Sequence, residues 1–223
     1  MQITKYPLEF YADMILEKTP FSFSRYGDGE FTCMFSPGTG KNCDKHKYFD
    51  GLSRDLLMAF NECVKSNLYF IGIQRLAMSI MGQKIEALVG NSNIAFHDSD
   101  VFHRANHETY GLAPLIDALK SVDLIMVGPA HLAPVAKNLG AIQFVEVPLM
   151  NCYLEIDSIQ ERISKAIPKH KYVCVAFSSG MPTNVMIHRL HNSEISLLDL
   201  GSIWDPYMGI LSRRYHHNRS FIM

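Results

Sequence analysis

Short apolar runs alternate with helical segments through the second half of the chain, and this alternation constrains the fold more than any other feature. The runs that predict strands are 122–127, which should be buried, 142–147, 172–177 and 195–198. The segments that predict helices are 112–120, 132–139, 152–167 and 183–190. Apolar strands that alternate with helices through short turns form parallel sheets with helices on both faces. The pattern therefore predicts an α/β fold.

The first half of the chain continues this pattern less regularly. Helices are predicted at 8–18, 49–64 and 78–89, and strands at 21–24, 68–73 and 93–97. The strand at 21–24 alternates phenylalanine with serine, which predicts a half-buried strand with one apolar face. Residues 98–111 have no regular period, and we interpret them as loop and helix-start residues.

No linker or repeat divides these elements into two groups, so we predict a single Rossmann-like domain over 1–223. Its mainly parallel sheet should have six or seven strands, with helices on both faces. A chain of 223 residues can bury a sizeable core, and 48% hydrophobic with 19% charged residues is typical of a folded protein.

Charge, cysteine content and hydropathy exclude several functional classes. The formal net charge is −1, so no overall positive field attracts nucleic acid. The five cysteines are widely spaced without a Cys-x-x-Cys pair, which indicates neither a disulfide framework nor a zinc site. No apolar run is long enough to span a bilayer and the start lacks a signal-peptide pattern, so we expect a cytoplasmic protein. The sequence is compatible with a homo-oligomer.

The first predicted strand leads into a short acidic stretch, Gly27-Asp28-Gly29-Glu30. In turn geometry its two carboxylates can reach one point, and one or two carboxylates together with phosphate oxygens hold a hard divalent cation. Arg25 precedes them and is placed to pair with that phosphate or with the acids. The alternative is an ordinary tight turn, in which the glycines supply unusual dihedrals and the acids are solvated.

Ligands of parallel sheets bind at the carboxyl ends of the strands, and a second polar turn follows a predicted strand there. Ser178, Ser179 and Gly180 precede a predicted helix, whose unpaired N–H groups favour an anion together with the small hydroxyls. Ordinary N-capping by Ser179 explains the same pattern equally well.

Two acids, Asp199 and Asp205, follow the last predicted strand and are further candidates. Each also has a structural explanation, Asp199 as a cap and Asp205 as part of an Asp-Pro turn. The turn that ends in His131 is a weaker candidate, and we interpret His131 as a surface residue at a helix start. No Gly-x-Gly-x-x-Gly follows any strand, which disfavours a nicotinamide or flavin site.

Four short motifs occur in order over residues 20–210. They are Arg25-Tyr-Gly-Asp-Gly-Glu30, Pro148-Leu-Met-Asn151-Cys-Tyr153, Ala176-Phe-Ser-Ser-Gly-Met-Pro-Thr183 and Asp199-Leu-Gly-Ser-Ile-Trp-Asp205-Pro-Tyr207. In order and spacing they resemble the motifs of the GT-D-type glycosyltransferases, a family long catalogued as a domain of unknown function. The chain departs from that family at His131, where members commonly have a glycine- and acid-containing turn, and at Ser202, where they often have histidine.

The resemblance implies a nucleotide-sugar donor, a UDP-sugar first among the candidates. It also implies a divalent cation, Mn²⁺ or Mg²⁺, held by Asp28 and Glu30 at the donor diphosphate. The residues that we expect to bind the donor are Arg25, Gly27, Gly29, Asn151, Ser178, Ser179, Gly180 and Thr183. We expect Asp205, with Asp199 as second choice, to take the proton of the acceptor hydroxyl.

We therefore expect a metal-dependent glycosyltransferase whose acceptor is a glycan, a glycoprotein, a small metabolite or a modified nucleic-acid base. Trp204 and Tyr207 offer flat faces for a sugar or base ring, with core packing as the alternative for Trp204. Two other classes fit the same acids. A metal-dependent nucleotide hydrolase or phosphotransferase would release phosphate without a sugar acceptor, and a non-catalytic nucleotide-sugar-binding module would bind the donor without turnover.

Overall fold

The computed structural model describes residues 2–36, 38, 40–63, 68–90, 96–108, 111–214 and 216–220. Within these ranges eight strands form one open parallel sheet, so the predicted α/β architecture is confirmed with slightly more strands than expected. They lie side by side in the order β1-β4-β3-β2-β8-β7-β5-β6. Their bounds are β1 Ile3–Thr4, β2 Ser22–Tyr26, β3 Tyr69–Ile73, β4 Phe96–Asp98, β5 Leu124–Gly128, β6 Gln143–Glu146, β7 Cys174–Phe177 and β8 Ser196–Asp199.

Helices precede, connect and cover the strands. The described α-helices are α1 Leu8–Leu16, α2 Asp28–Phe35, α3 Asp50–Cys63, α4 Arg75–Val89, α5 Val101–His107, α6 Ala113–Lys120, α7 Ala133–Asn138, α8 Ile156–Ala166 and α9 Pro182–Leu190. Short 3₁₀ helices occupy Ala130–Leu132, Cys152–Glu155 and Asp205–Met208. Among the described residues, no helix is long and apolar enough to cross a membrane.

The alternation predicted for the second half of the chain is confirmed, with element ends shifted by a few residues. Part of the predicted strand at 93–97 and the last residue of the predicted helix at 49–64 lie outside the described residues. The interpretation of 98–111 as loop and helix-start residues is incomplete, because α5 occupies residues 101–107 of that segment. Its buried face includes His103 and Asn106 beside apolar residues, so the helix has no continuous apolar stripe that a sequence pattern could reveal.

Each face of the sheet has its own hydrophobic core. The helices α2, α3, α4, α8 and α9 cover one face with buried side chains that include Phe31, Leu56, Ile85, Ile159 and Val185. The helices α1, α5, α6 and α7 cover the other face with Tyr11, Phe102, Leu115 and Val135. Because both faces are covered, a strand in the middle of this sheet is buried on both sides.

The strand β2 shows this directly, and its prediction as a half-buried strand is wrong. Ser22 and Ser24 are fully buried. Their hydroxyls contact His191 Nδ1 at 2.8 Å and the Tyr69 hydroxyl at 2.5 Å. The alternating pattern predicts that these serines face solvent, but in the structure their hydroxyls are satisfied by hydrogen bonds within the protein.

A buried histidine lies among the aromatic side chains near the β1 edge. His97 of β4 stacks on Phe70 with ring centroids 4.4 Å apart, and its Nδ1 lies 2.7 Å from the Tyr11 hydroxyl. Burial lowers the pKa of His97 from 6.5 to about 4. The folded protein therefore holds this imidazole neutral at physiological pH.

We expect His97 to make folding stability depend on acid. The unfolded chain takes up this proton below pH 6.5 and the folded chain only near pH 4, so stability should fall as pH decreases through this window. Because one pKa unit corresponds to about 1.4 kcal/mol, the loss should be on the order of 3 kcal/mol. Urea unfolding of wild type and His97→Gln over this pH range measures it.

The variant should be destabilised at neutral pH by lost packing, but its deficit should shrink in acid because glutamine binds no proton. The control is His170→Asn, which removes an exposed histidine and should keep the wild-type pH dependence. A deficit for His97→Gln that is the same at every pH contradicts the prediction.

Candidate active site

The carboxyl ends of β2, β3, β4, β7 and β8 meet at one edge of the sheet, around a cavity of about 250 Å³. This first cavity gathers predicted site residues from distant parts of the chain: Arg25, Gly27, Asp28, Gly29, Glu30, Gly180 and Asp199. Residues 41–44 and Arg213 complete its rim. Charged and polar side chains therefore make up most of its lining.

A second cavity, of about 400 Å³, lies beside the first. The two share the lining residues Cys43, Asp44, Gly180, Gly201, Ser202 and Arg213. The walls that belong to the second cavity are largely apolar and include Pro129, Pro148, Leu149, Met150 and Ile210. Its polar side chains, among them Ser178, Ser179, His131 and Asp205, provide the smaller part of its surface.

The acidic stretch begins a helix instead of forming an extended turn. Asp28 is the first residue of α2 and is exposed, whereas Glu30 turns back so that its Oε2 accepts the backbone N–H of Gly27 at 2.8 Å. A Cβ atom on Gly27 would lie 3.0 Å from Gln74 Oε1 and 3.2 Å from Glu30 Oε2. Glycine at this position therefore leaves room for the folded-back Glu30 carboxylate.

Burial changes the acidity of two carboxyl groups in the first cavity. Burial, with a smaller effect of the nearby Asp199 carboxylate, raises the pKa of Glu30 to about 7, although backbone hydrogen bonds and Arg25 act in the opposite direction. Burial likewise raises the pKa of Asp199 to about 6, against the effects of the Arg25 guanidinium and a backbone hydrogen bond from Gly201. Additional positive charge in this cavity would favour the ionised form of both acids.

Arg25 connects the strands at the centre of the site. Its Nη1 donates to the carbonyl of Leu200 at 3.1 Å, and its own carbonyl accepts from Asn184 Nδ2 at 2.9 Å. The guanidinium packs so closely on Gly201, which has φ +55°, that a Cβ there would lie 2.8 Å from Nη1. Within the described residues the buried Nε of Arg25 has no hydrogen-bond partner, so it can still bind a ligand.

The structure places Asn151 under the loop at the rim, and it lines neither cavity. Asn151 Oδ1 accepts from the backbone N–H of Lys47 at 2.8 Å, and its own N–H donates to His46 Nδ1 at 3.2 Å. The loop is further held by Asn42, whose Oδ1 accepts from two backbone N–H groups, and by an ion pair between Asp44 and Arg213. Asn151 therefore positions the loop that closes the first cavity.

The residues of the serine turn after β7 have different surroundings: the serines line the second cavity, whereas Thr183 lies in the core. Ser178 Oγ is buried beside the second cavity and has no hydrogen-bond partner in the described part of the chain. Ser179 Oγ lies 2.7 Å from Thr183 Oγ1, and Thr183 is fully buried and lines neither cavity. The helix α9 begins only at Pro182, so the turn precedes the helix start by a few residues.

Sequence reasoning missed the pair formed by His131 and Asp205. Asp205 Oδ1 lies 3.1 Å from His131 Nε2, and Asp205 Oδ2 accepts from the hydroxyl of Ser212 at 2.5 Å. His131 had been interpreted as an isolated surface residue. Its partner lies 74 residues further along the chain, and no local pattern connects the two.

The expectation that Trp204 offers a ring face to a ligand is wrong. Trp204 is fully buried in the core that includes α1 and α5, so core packing explains it. Tyr207 packs against it with ring centroids 5.8 Å apart and remains partly exposed.

The first cavity offers carboxylate oxygens, which are the ligands that Mg²⁺ and Mn²⁺ prefer. In the described ranges, no three His, Cys, Asp or Glu side chains lie close enough together to hold a metal ion. Asp28 and Glu30 therefore fit a cation that takes one or two protein ligands and completes its coordination with phosphate oxygens.

Three solved structures share this fold. A structure described as "The highly conserved domain of unknown function 1792 has a distinct glycosyltransferase fold" matches with a TM-score of 0.62 and 17% identity, over 94% of this chain and 83% of its own. A structure described as a new glycosyltransferase of the same domain type from Streptococcus sanguinis matches with a TM-score of 0.66 and 17% identity, over 100% of this chain and 95% of its own. A selenomethionine-substituted structure of this domain matches with a TM-score of 0.63 and 15% identity, over 100% of this chain and 92% of its own.

No protein-family model matches the sequence, and no curated protein matches it significantly. The likeness to the solved structures shows that the chain has their fold. That fold is the one implied by the resemblance of the four sequence motifs.

We expect Gly201→Ala to displace the Arg25 guanidinium, because the new methyl group would overlap it. Binding of an anionic probe, inorganic pyrophosphate, should weaken about tenfold, which corresponds to about 1.4 kcal/mol. Left-handed backbone also costs alanine about 1–2 kcal/mol of stability. Isothermal titration calorimetry and urea unfolding measure the two effects.

Gly209→Ala is the matched control, since Gly209 has φ +70° and no neighbouring atom within 4 Å of the added Cβ. It should lose similar stability and keep wild-type pyrophosphate affinity. Equal affinities for both variants would show that the contact between Arg25 and Gly201 does not position an anion site.

Proposed function

We propose that this chain is a metal-dependent glycosyltransferase that moves a sugar from a nucleotide-sugar donor, a UDP-sugar first among the candidates, to a hydroxyl acceptor. The observation that carries the proposal is the adjacency of two unlike cavities with common lining residues, one charged and one largely apolar. A transferase needs a donor site and an acceptor site side by side, whereas a nucleotide hydrolase needs only the first. The fold shared with proteins described as glycosyltransferases supports the same conclusion.

The donor diphosphate binds in the first cavity. Arg25 offers a guanidinium whose buried Nε lacks a partner in the described residues, and a phosphate oxygen satisfies it. Gly27 and Gly29 line this cavity at the start of α2, where the helix dipole favours negative charge. Gly180 borders both cavities and so lies where donor and acceptor meet.

Asp28 and Glu30 would hold Mn²⁺ or Mg²⁺ beside that diphosphate. The cation, when bound, supplies positive charge that stabilises the departing nucleoside diphosphate. Asp199 adds a third carboxylate to the same cavity and orients the turn that follows β8 through its hydrogen bond from Gly201 at 2.9 Å.

The acceptor enters through the second cavity. Its apolar walls suit the ring faces of a sugar, or of the base in a modified nucleotide, and its polar side chains suit hydroxyls. Ser178 Oγ is a buried group that an acceptor or donor hydroxyl can satisfy. The acceptor classes that we propose are a glycan, a glycoprotein or a modified nucleic-acid base.

We expect one family of nucleoside diphosphates and nucleotide sugars to raise the melting temperature in the presence of Mn²⁺. A ligand present at 100 times its Kd stabilises the folded state by about 2.7 kcal/mol. For a chain of this size that corresponds to roughly 5–10 °C. Asp28→Asn combined with Glu30→Gln should remove the Mn²⁺-dependent part of this rise in melting temperature. The glutamine at position 30 can still accept the hydrogen bond from Gly27.

The control is Asp117→Asn, which neutralises an exposed carboxylate on α6 and should respond as wild type does. Absence of any nucleotide-dependent shift, with or without Mn²⁺, rejects the donor site. Release of inorganic phosphate without sugar transfer assigns the chain to nucleotide hydrolases. A stabilised protein that never turns over its ligand is a binding module.

A further inference from the structure

We propose that His131 accepts the proton of the acceptor hydroxyl and that Asp205 is the positioning residue that holds the imidazole. This inference rests on the glycosyltransferase function proposed above and gives the second cavity its reactive group. It replaces the sequence-based expectation that Asp205 itself takes the proton.

Both carboxylate oxygens of Asp205 already have partners. Oδ1 accepts from His131 Nε2 at 3.1 Å, and Oδ2 accepts from the Ser212 hydroxyl at 2.5 Å. A carboxylate whose two oxygens both accept hydrogen bonds is fixed in orientation, and its lone pairs are already engaged. Asp205 is therefore better suited to orient a neighbour than to remove a proton from a substrate.

The hydrogen bond to Asp205 fixes the tautomer of His131. With the proton on Nε2 directed at the carboxylate, Nδ1 is the nitrogen with an available lone pair. Within the described residues Nδ1 has no recorded hydrogen-bond partner. The His131 side chain is one-quarter exposed and lines the second cavity, so a substrate hydroxyl can approach it.

The position of the pair matches the proposed reaction. His131 and Asp205 line the same cavity as Ser178, Gly201 and Ser202. Gly201 and Ser202 also line the first cavity, where the donor binds. The imidazole therefore lies on the acceptor side, in a cavity that shares part of its lining with the donor site.

The other candidate acid, Asp199, lies on the donor side. It is buried, accepts a backbone N–H from Gly201 at 2.9 Å, and faces Arg25 in the first cavity. It does not line the second cavity. Asp199 therefore organises the donor site and has no direct access to an acceptor hydroxyl.

The step balances without any additional reagent. His131 Nδ1 takes the hydroxyl proton as the hydroxyl oxygen forms its bond to the anomeric carbon of the donor sugar. The bond from that carbon to the diphosphate oxygen breaks, and its electron pair leaves with the nucleoside diphosphate. The imidazolium that results is stabilised by the Asp205 carboxylate.

The test measures nucleoside diphosphate release from the nucleotide sugar that gives the largest melting shift. The attacking hydroxyls are a panel of nitrophenyl glycosides and, without them, water. We expect His131→Ala to lower kcat by about 100-fold or more, the usual contribution of general base catalysis. Donor KM and the donor-induced melting shift should stay at wild-type values, and added imidazole should restore activity at least about tenfold if it replaces the missing base.

A double-mutant cycle tests the role of Asp205. Asp205→Asn alone should lower kcat with little change in donor KM, because the imidazole loses its orientation. In the His131→Ala background the same change should have almost no further effect, since residues that act as a unit are strongly non-additive. His131→Gln serves as a second variant if alanine impairs folding, and His170→Asn controls for loss of an exposed histidine.

The outcomes separate this inference from the proposed function. If wild type neither binds nor turns over a nucleotide sugar, the proposed function fails and the inference with it. If wild type transfers sugar and His131→Ala retains its kcat, the inference alone is overturned. It is also overturned if activity is lost without imidazole rescue and the two substitutions act additively, because His131 and Asp205 would then have only a structural role.

Discussion

The position of Arg25 is the constraint on which the rest of this site depends. Its guanidinium bonds the carbonyl of Leu200 beyond β8, and its carbonyl accepts from Asn184 of α9, so one residue joins β2 to two later elements. Asp199 is buried and Glu30 half-buried in the first cavity, and the Asp199 carboxylate raises the pKa of Glu30 while the Arg25 guanidinium lowers the pKa of both acids. Arg25 therefore offsets part of the cost of placing two carboxylates in one cavity.

Most of the sheet could be predicted from sequence because buried parallel strands are marked by their own residues. Segment 172–177 is apolar throughout, and 122–127 is apolar apart from Asp123, which precedes β5; burial on both faces demands such runs. The predictions for β2 and for the segment of α5 failed for physical reasons. The serines of β2 are buried in hydrogen bonds to His191 and Tyr69, and α5 buries His103 and Asn106. In both elements, long-range contacts replace the apolar period on which local prediction relies.

Some residues of the site could likewise be predicted from sequence, and others could not. The residues of the acidic stretch, with Arg25, Gly180 and Asp199, lie in one cavity because a parallel sheet brings the carboxyl ends of its strands together. Asn151 and Thr183 belong to the same motifs but support a loop and the core. The pairing of His131 with Asp205 needed the fold, because it depends on two turns that follow different strands. Sequence identifies such residues singly, and only the sheet order shows which of them meet.

The ion pair between Asp44 and Arg213 has a consequence for how the protein is made. It joins segments 169 residues apart at the rim common to both cavities. All eight described strands precede Arg213 in the chain, so a nascent polypeptide can assemble the sheet while this rim is still open. The rim is therefore completed by a segment that is synthesised only after the last described strand.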